Sequence, residues 1–270
     1  MKRFSAIVLI GCILLCACRH AAKEASVSAL GAAQAEGWQV VPEEGSWSVY
    51  PCIVISGQEE ITQVSGFIRA EDRKIGGDWQ IEGKAAQFFP YQVLEPGQAY
   101  EAEMCVNGME LSTAFTVSDA ALPEQWIEVA LGIEQKVYIW QGGRIIKAFS
   151  CSGGLPESPS LLGIYQLQDR GERFYSKRFA EGALYWIRIQ DQYLFHSVPR
   201  DEEGRVIAEE LEKIGEAASH GCIRLYDEDA RWLYENLPRG TMVILHPAQP
   251  DVFTKNLLES DSGGVYNETR

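Results

Sequence analysis

A period of two dominates this chain. In residues 99–106, Tyr100, Ala102, Met104 and Val106 alternate with Glu101, Glu103 and Cys105, which gives one face to bury and one to wet. The alternation returns in Ile127, Val129, Leu131 and Ile133, then in Val137 and Ile139. Gln141-Gly142-Gly143 turns the chain back into Ile145, Lys147 and Phe149, the pattern of a tight hairpin. Further short apolar runs at 47–50, 52–55, 61–69, 79–81, 185–189 and 193–198 are separated by turn residues, among them Gln190-Asp191-Gln192. Helical character is confined to two segments, 206–214 and 227–237. In the second, Asp227 suits an N-cap, Ala230, Leu233 and Leu237 share one face, and Pro238 and Gly240 end it. The expected fold class is mainly β, with a few short helices.

The 270 residues divide naturally in two. Residues 38–118 read as a β-sandwich. Within it, Leu94-Glu95-Pro96-Gly97-Gln98-Ala99-Tyr100 resembles the L-x-P-G-x-x-Y corner of fibronectin III-like and other Ig-like domains, where the Tyr hydroxyl bonds back to the backbone. Residues 119–124, with Pro123, read as a linker, residues 125–248 as a second β-rich domain, and residues 249–270 as a polar tail. Cys52 and Cys105 could bridge in a non-reducing space, although Cys105 shares its phase with two glutamates; the sequence leaves this open. Lys and Arg number 24 against 38 Asp and Glu, a formal charge of −14, which argues against a nucleic-acid partner.

The chemistry gathers around one cysteine. The chain has four histidines, His20, His196, His220 and His246, and two of them fall near a Cys: Phe195-His196-Ser197 and Ser219-His220-Gly221-Cys222-Ile223-Arg224. A thiol nucleophile needs an imidazole to take its proton and return it to the leaving group. It also needs backbone N–H groups to hold an oxyanion, and a glycine beside it to form a tight turn. A His₂Cys zinc set from His196, His220 and Cys222 is the competing reading, with poor spacing.

Ser219-His220-Gly221-Cys222-Ile223-Arg224 matches the S/T-H-G-C-x-R/N signature of the YkuD-type L,D-transpeptidases, and His196-Ser197 matches their upstream H-G or H-S element. Ser152-Gly153 resembles the S-T-G turn of that family, while Pro159-Ser160-Leu161-Leu162-Gly163 departs from its T-P-T-G. The resemblance covers about residues 125–247. It implies that Cys222 is the nucleophile, attacking a peptidoglycan tetrapeptide donor and releasing D-Ala. The acyl group then passes to the diamino-acid amine of a second stem, a 3→3 cross-link. His196 is the implied general acid and base, with Ser197 orienting it through a backbone group. The Gly221 and Cys222 N–H groups are the implied oxyanion donors. Ser219, His220 and Arg224 are the implied site-shaping or substrate-binding residues, Arg224 for a carboxylate. No metal or cofactor is required. The same residues would serve an L,D-carboxypeptidase, with water as acceptor, and a non-catalytic wall-binding lipoprotein is the third reading. A Cys151–Cys222 disulfide, and a lid formed by residues 206–218 with Glu209, Glu210, Glu212 and Glu216, are further expectations; a solvated helix is the alternative for the second.

At the N-terminus, Met1-Lys2-Arg3 precedes an apolar run from Ala6 to Leu15, too short to span a bilayer and suited to a signal peptide. Leu15-Cys16-Ala17-Cys18 resembles the lipobox of bacterial lipoproteins. Residues 1–17 are then a lipoprotein signal peptide, Cys18 bears the acyl chains, and 18–37 form a flexible tether. The alternatives are a plain secretory signal cut after Ala17 or Ala22, or an uncleaved anchor. The lipoprotein reading implies an exported chain on the outer face of the bacterial cytoplasmic membrane, facing the wall.

Overall fold

A computed structural model describes residues 37–41, 45–118, 122–133 and 135–248. The signal peptide, Cys18, most of the tether and the polar tail lie outside these residues. The first half is a two-sheet sandwich. One sheet runs β1 (Trp38–Val41), β3 (Ile53–Gly57), β7 (Ala85–Pro90), β6 (Gly77–Glu82), and the other β2 (Gly45–Trp47), β9 (Met109–Val117), β8 (Ala99–Val106), β4 (Val64–Ala70), β5 (Arg73–Ile75). The alternation in β8 is obeyed residue by residue: Tyr100, Ala102, Met104 and Val106 are buried. Tyr100 forms the corner, accepting the Glu95 N–H at 3.0 Å and donating to Gln98 at 2.8 Å. Cys105 faces outward with Glu101 and pairs in its ladder with Ser65 and Glu110, whereas Cys52 lies beside β3 on the other sheet; the two are not bridged.

The second half is one nine-stranded sheet in the order β13 (Gly163–Gln166), β18 (Met242–Pro247), β10 (Gln125–Leu131), β11 (Gln135–Gln141), β12 (Arg144–Ser152), β17 (Ile223–Leu225), β16 (Tyr193–His196), β15 (Glu181–Gln190), β14 (Arg170–Ser176). Gly142 and Gly143 both take positive φ, +58° and +72°, closing the two-residue hairpin between β11 and β12. One core cluster takes Ile127, Val129, Val137 and Ile139 from β10 and β11 and Ile187, Phe195, Ile223 and Leu225 from β15 to β17. Strands distant in the sheet order therefore share a core, so the sheet wraps around it.

Of the two helical segments, residues 206–214 contain only α1 (Ala208–Leu211), and the rest is turn. The other is α2 (Asp227–Asn236), which buries Ala230 and Leu233, followed by Leu237. Asp227 is its first helical residue and not its N-cap, which is Tyr226; the Asp227 carboxylate pairs with Arg200 instead. At the other end Arg170 donates to the Tyr234 and Leu237 carbonyls, supplying cation and donors where the helix leaves acceptors open.

The halves meet across the outer face of β10 and β18. Trp126 and Ile244 belong to the sandwich's own apolar cluster, and Leu122, from the expected linker, packs against it. His246 is buried there, its Nε2 3.0 Å from Glu128 Oε1 and its ring 6.0 Å from Tyr50, while the other Glu128 oxygen accepts from Trp140 at 2.6 Å. No helix among the described residues is long and apolar enough to cross a membrane.

Candidate active site

Strands β16 and β17 are parallel neighbours, with Phe195 opposite Ile223 and His196 opposite Arg224. Side chains alternate along a strand, so this register sends Phe195, Ile223 and Leu225 into the core and His196, Arg224 and Cys222 to the opposite face. The cysteine and histidine singled out from the sequence thus share one surface.

His196 is buried, and its Nδ1 lies 2.7 Å from the Ser197 carbonyl oxygen. That oxygen can only accept, so Nδ1 carries the proton and Nε2 is left as the acceptor nitrogen. Ser197 is locked in turn: its Oγ accepts the Leu184 N–H at 2.9 Å and donates to the Val198 carbonyl at 3.1 Å. Phe174 of β14 meets the His196 ring edge-on at 5.7 Å. Burial drives the His196 imidazole down to about 4; the Ser197 bond opposes that, and the Arg224 charge adds to it. Burial also pushes the Cys222 thiol up, against the Leu194 N–H and the Arg224 charge. At neutral pH the pair is therefore thiol and neutral imidazole. The thiol donates to the Gln192 carbonyl at 3.6 Å.

The loop ahead of Cys222 is built by Ser219, whose buried Oγ accepts the Gly221 N–H at 2.9 Å and donates to the Cys222 carbonyl at 2.6 Å. Its backbone is bound on both sides, N–H to Gly153 at 2.8 Å and carbonyl from Leu155 at 3.0 Å. The Gly221 N–H is therefore committed to Ser219 and is not available to an oxyanion, contrary to expectation. Gly221 serves geometry instead: its φ is +112°, and a Cβ there would lie 2.6 Å from Tyr193 Cε1 and 3.2 Å from the Pro159 carbonyl. Ser160 Oγ accepts the Gly154 N–H at 2.9 Å, so the segment that departs from T-P-T-G still closes this turn.

Arg224, expected to hold a substrate carboxylate, holds the protein's own. Its side chain is 4% exposed, pairs with Glu210 and with Glu181 at 3.2 Å, and donates to the Ala218 carbonyl at 3.2 Å. Burial raises the Glu210 carboxyl, but Lys213 and Arg224 outweigh that and hold it below the ordinary range. Residues 206–218 are thereby fastened rather than free: Ser152 Oγ donates to the Lys213 carbonyl at 2.7 Å, and the Gly215 N–H to Cys151 at 3.0 Å. Cys151 packs in the core opposite Leu225, on the far face from Cys222, which rules out a bridge between them. His220 is exposed and stacks on Phe179 at 4.8 Å, turned away from the zinc set considered above. A separate cleft of about 400 Å³, lined by Val198, Val206, Leu211, Tyr226 and the acids 227–229, contains neither His196 nor Cys222. Glu181, Phe174 and Phe179 escaped the sequence reading because none carries a spacing signal, while Glu210 was named only within the expected lid and Gln192 only as a turn residue.

Two outcomes follow. Gly221→Ala should cost about 1–3 kcal/mol for a strained φ, more if Tyr193 cannot yield, read from thermal melting. His196 folds with its pKa lowered from 6.5 to about 4, so between those values the unfolded chain binds a proton that the folded one refuses. Its contribution is full above about pH 6.5 and lost as pH falls, on the order of 3 kcal/mol. Urea unfolding at pH 7 and 4.5 should show a smaller drop for His196→Gln than for wild type; equal drops would contradict this.

Residues 124–245 match the family model of the L,D-transpeptidase catalytic domain, YkuD. YciB of Bacillus subtilis (strain 168), an L,D-transpeptidase by name, is 42% identical over 126 residues, 44% of this chain and 64% of YciB. The match therefore spans somewhat under two thirds of that protein. Solved structures of L,D-transpeptidases from Mycobacterium smegmatis and Mycobacterium tuberculosis H37Rv are 16% and 20% identical, each covering 77% of this chain and 97% and 96% of theirs, with TM-scores of 0.36 and 0.37. Those two likenesses carry no argument; the similarity lies in the family match and in YciB. Residues 124–245, the second half of this chain, are thus similar to the L,D-transpeptidase catalytic domain, YkuD.

Proposed function

We propose that the chain is a peptidoglycan L,D-transpeptidase that forms 3→3 cross-links through an acyl-enzyme on Cys222. The observation that carries this is the His196 tautomer fixed by Ser197, on the same face as the thiol of the Ser-His-Gly-Cys loop. The thiol turns from Gln192, gives its proton to His196 Nε2 and attacks the carbonyl that precedes the terminal D-Ala of a tetrapeptide donor. His196 returns the proton to the departing amine of D-Ala. The acceptor's diamino-acid amine then attacks the thioester, passes a proton to His196, and Cys222 is released as the thiol. Because both groups rest neutral, proton transfer accompanies attack rather than preceding it. With the Gly221 N–H committed, the Cys222 N–H is the donor assigned to the oxyanion.

The location belongs to the same proposal. Lys2, Arg3, the apolar run to Leu15 and Cys18 support export and acylation, with the chain held on the outer face of the bacterial cytoplasmic membrane. The sandwich, read as Ig-like from its Tyr100 corner, holds the catalytic domain toward the wall.

Residues 19–270 incubated with a disaccharide-tetrapeptide should yield a cross-linked dimer lacking one D-Ala, absent with Cys222→Ala, as read by mass spectrometry. Tripeptide monomer alone would make the enzyme a carboxypeptidase. No product would leave the wall-binding reading.

A further inference from the structure

The hairpin of β14 and β15 touches the site at three points. Phe174 meets His196, Glu181 pairs with Arg224, and Phe179 at the tip stacks on His220 with ring planes 23° apart. The tip is the exposed turn Lys177, Arg178, Phe179 and Ala180, and Ala180 takes φ +52°. Phe179 is 44% exposed, and its ring meets two neighbours. Both neighbours use it: His220 stacks on it, and the Arg178 guanidinium lies 5.1 Å from its centroid.

Arg178 is thus ordered by a ring and by no carboxylate. Neither Lys177 nor Arg178 makes an ion pair among the described residues, although the chain carries a formal charge of −14. Burial and then the charges of Glu202, Glu203 and Asp201 raise the nearby Tyr175 phenol; of these acids Asp201 and Glu203 pair with Arg205, and none pairs with Lys177 or Arg178. A guanidinium beside a ring and without a carboxylate partner retains its N–H fork, the geometry that matches a carboxylate. His220, at the far side of the stack, is two residues from Cys222. Two cations without ion pairs thus sit on the turn whose Phe179 stacks on His220, while Arg224, the residue expected to bind a carboxylate, is occupied.

We propose that Arg178, supported by Lys177, recognises a carboxylate of the donor peptide, either the C-terminal one of the leaving residue or the one on the diamino-acid side chain. This rests on the transpeptidase reading above and adds what selects the donor. Phe179 and His220 are its positioning residues.

The test uses residues 19–270 and three tetrapeptide donors: unmodified, amidated at the C-terminus, and amidated on the diamino-acid side chain. Arg178→Gln should raise KM for the unmodified donor about tenfold, the scale of one charge-assisted hydrogen bond, with the loss falling on KM rather than kcat. Arg178→Lys should recover part of it. With the donor lacking the recognised carboxylate the wild type should be equally poor, and Arg178→Gln should cost nothing further; whichever amide does this identifies the group. An unchanged KM, or the same rise on all three donors, would overturn the proposal. Calorimetric binding of the unmodified donor to Cys222→Ala, with and without Arg178→Gln, reads the contact without turnover. An Arg178-dependent affinity in a chain whose wild type makes no product would sink the transpeptidase reading and leave the recognition standing.

Discussion

Arg224 is the tie on which the site depends. One buried guanidinium holds Glu210, Glu181 and the Ala218 carbonyl, and so fastens α1 and the turns after it, the start of β15 and the approach to Ser219 around a single point on β17. Its register partner on β16 is His196. Removing the guanidinium would leave Glu181 without its ion-pair partner and Glu210 with Lys213 alone, and such losses cost more than the pair itself contributes. The same charge acts on the chemistry: it helps keep His196 neutral and draws down a thiol that burial raises.

Around that tie, the loop of Cys222 is specified by small polar bonds. Ser219 Oγ closes a ring with the Gly221 N–H and the Cys222 carbonyl, and Gly221 takes a backbone angle that a side chain would strain. The sharp turn places the thiol at the start of β17 while Ile223 and Leu225, directly after it, remain in the core. Stability and reactivity are thus set by adjacent residues on opposite faces of one strand. Cys151 shows the contrast: the same residue type, on the neighbouring strand, faces inward and serves only packing.

Much of this was legible in the residues. Period-two runs named β8, β10 and β11 because burial on one face imposes that period, and Gly142-Gly143 named its hairpin because both residues need positive φ. Cys222 and His196 stood out in the sequence because their spacing and neighbours recur in a known family. Arg224 was read as site-shaping or substrate-binding, with a carboxylate as its partner, and sequence cannot show that the carboxylates it holds are Glu181 and Glu210. Residues 206–214 were expected to be helical, yet only four residues form α1, because Glu210 and the Lys213 and Gly215 backbone bond to other segments instead. The Gly221 N–H was a reasonable oxyanion donor until Ser219 was seen to take it.

The central claim is that the thiol of Cys222 carries the acyl group. Acid-quenching the full chain seconds after mixing with a tetrapeptide donor, then measuring intact mass and mapping peptides, tests it directly. The account predicts a mass gain equal to the donor less D-Ala, located on the peptide containing Cys222 and absent from His196→Ala at the same time point. An adduct on any other residue, or turnover with Cys222 unmodified and still alkylatable throughout, would contradict it.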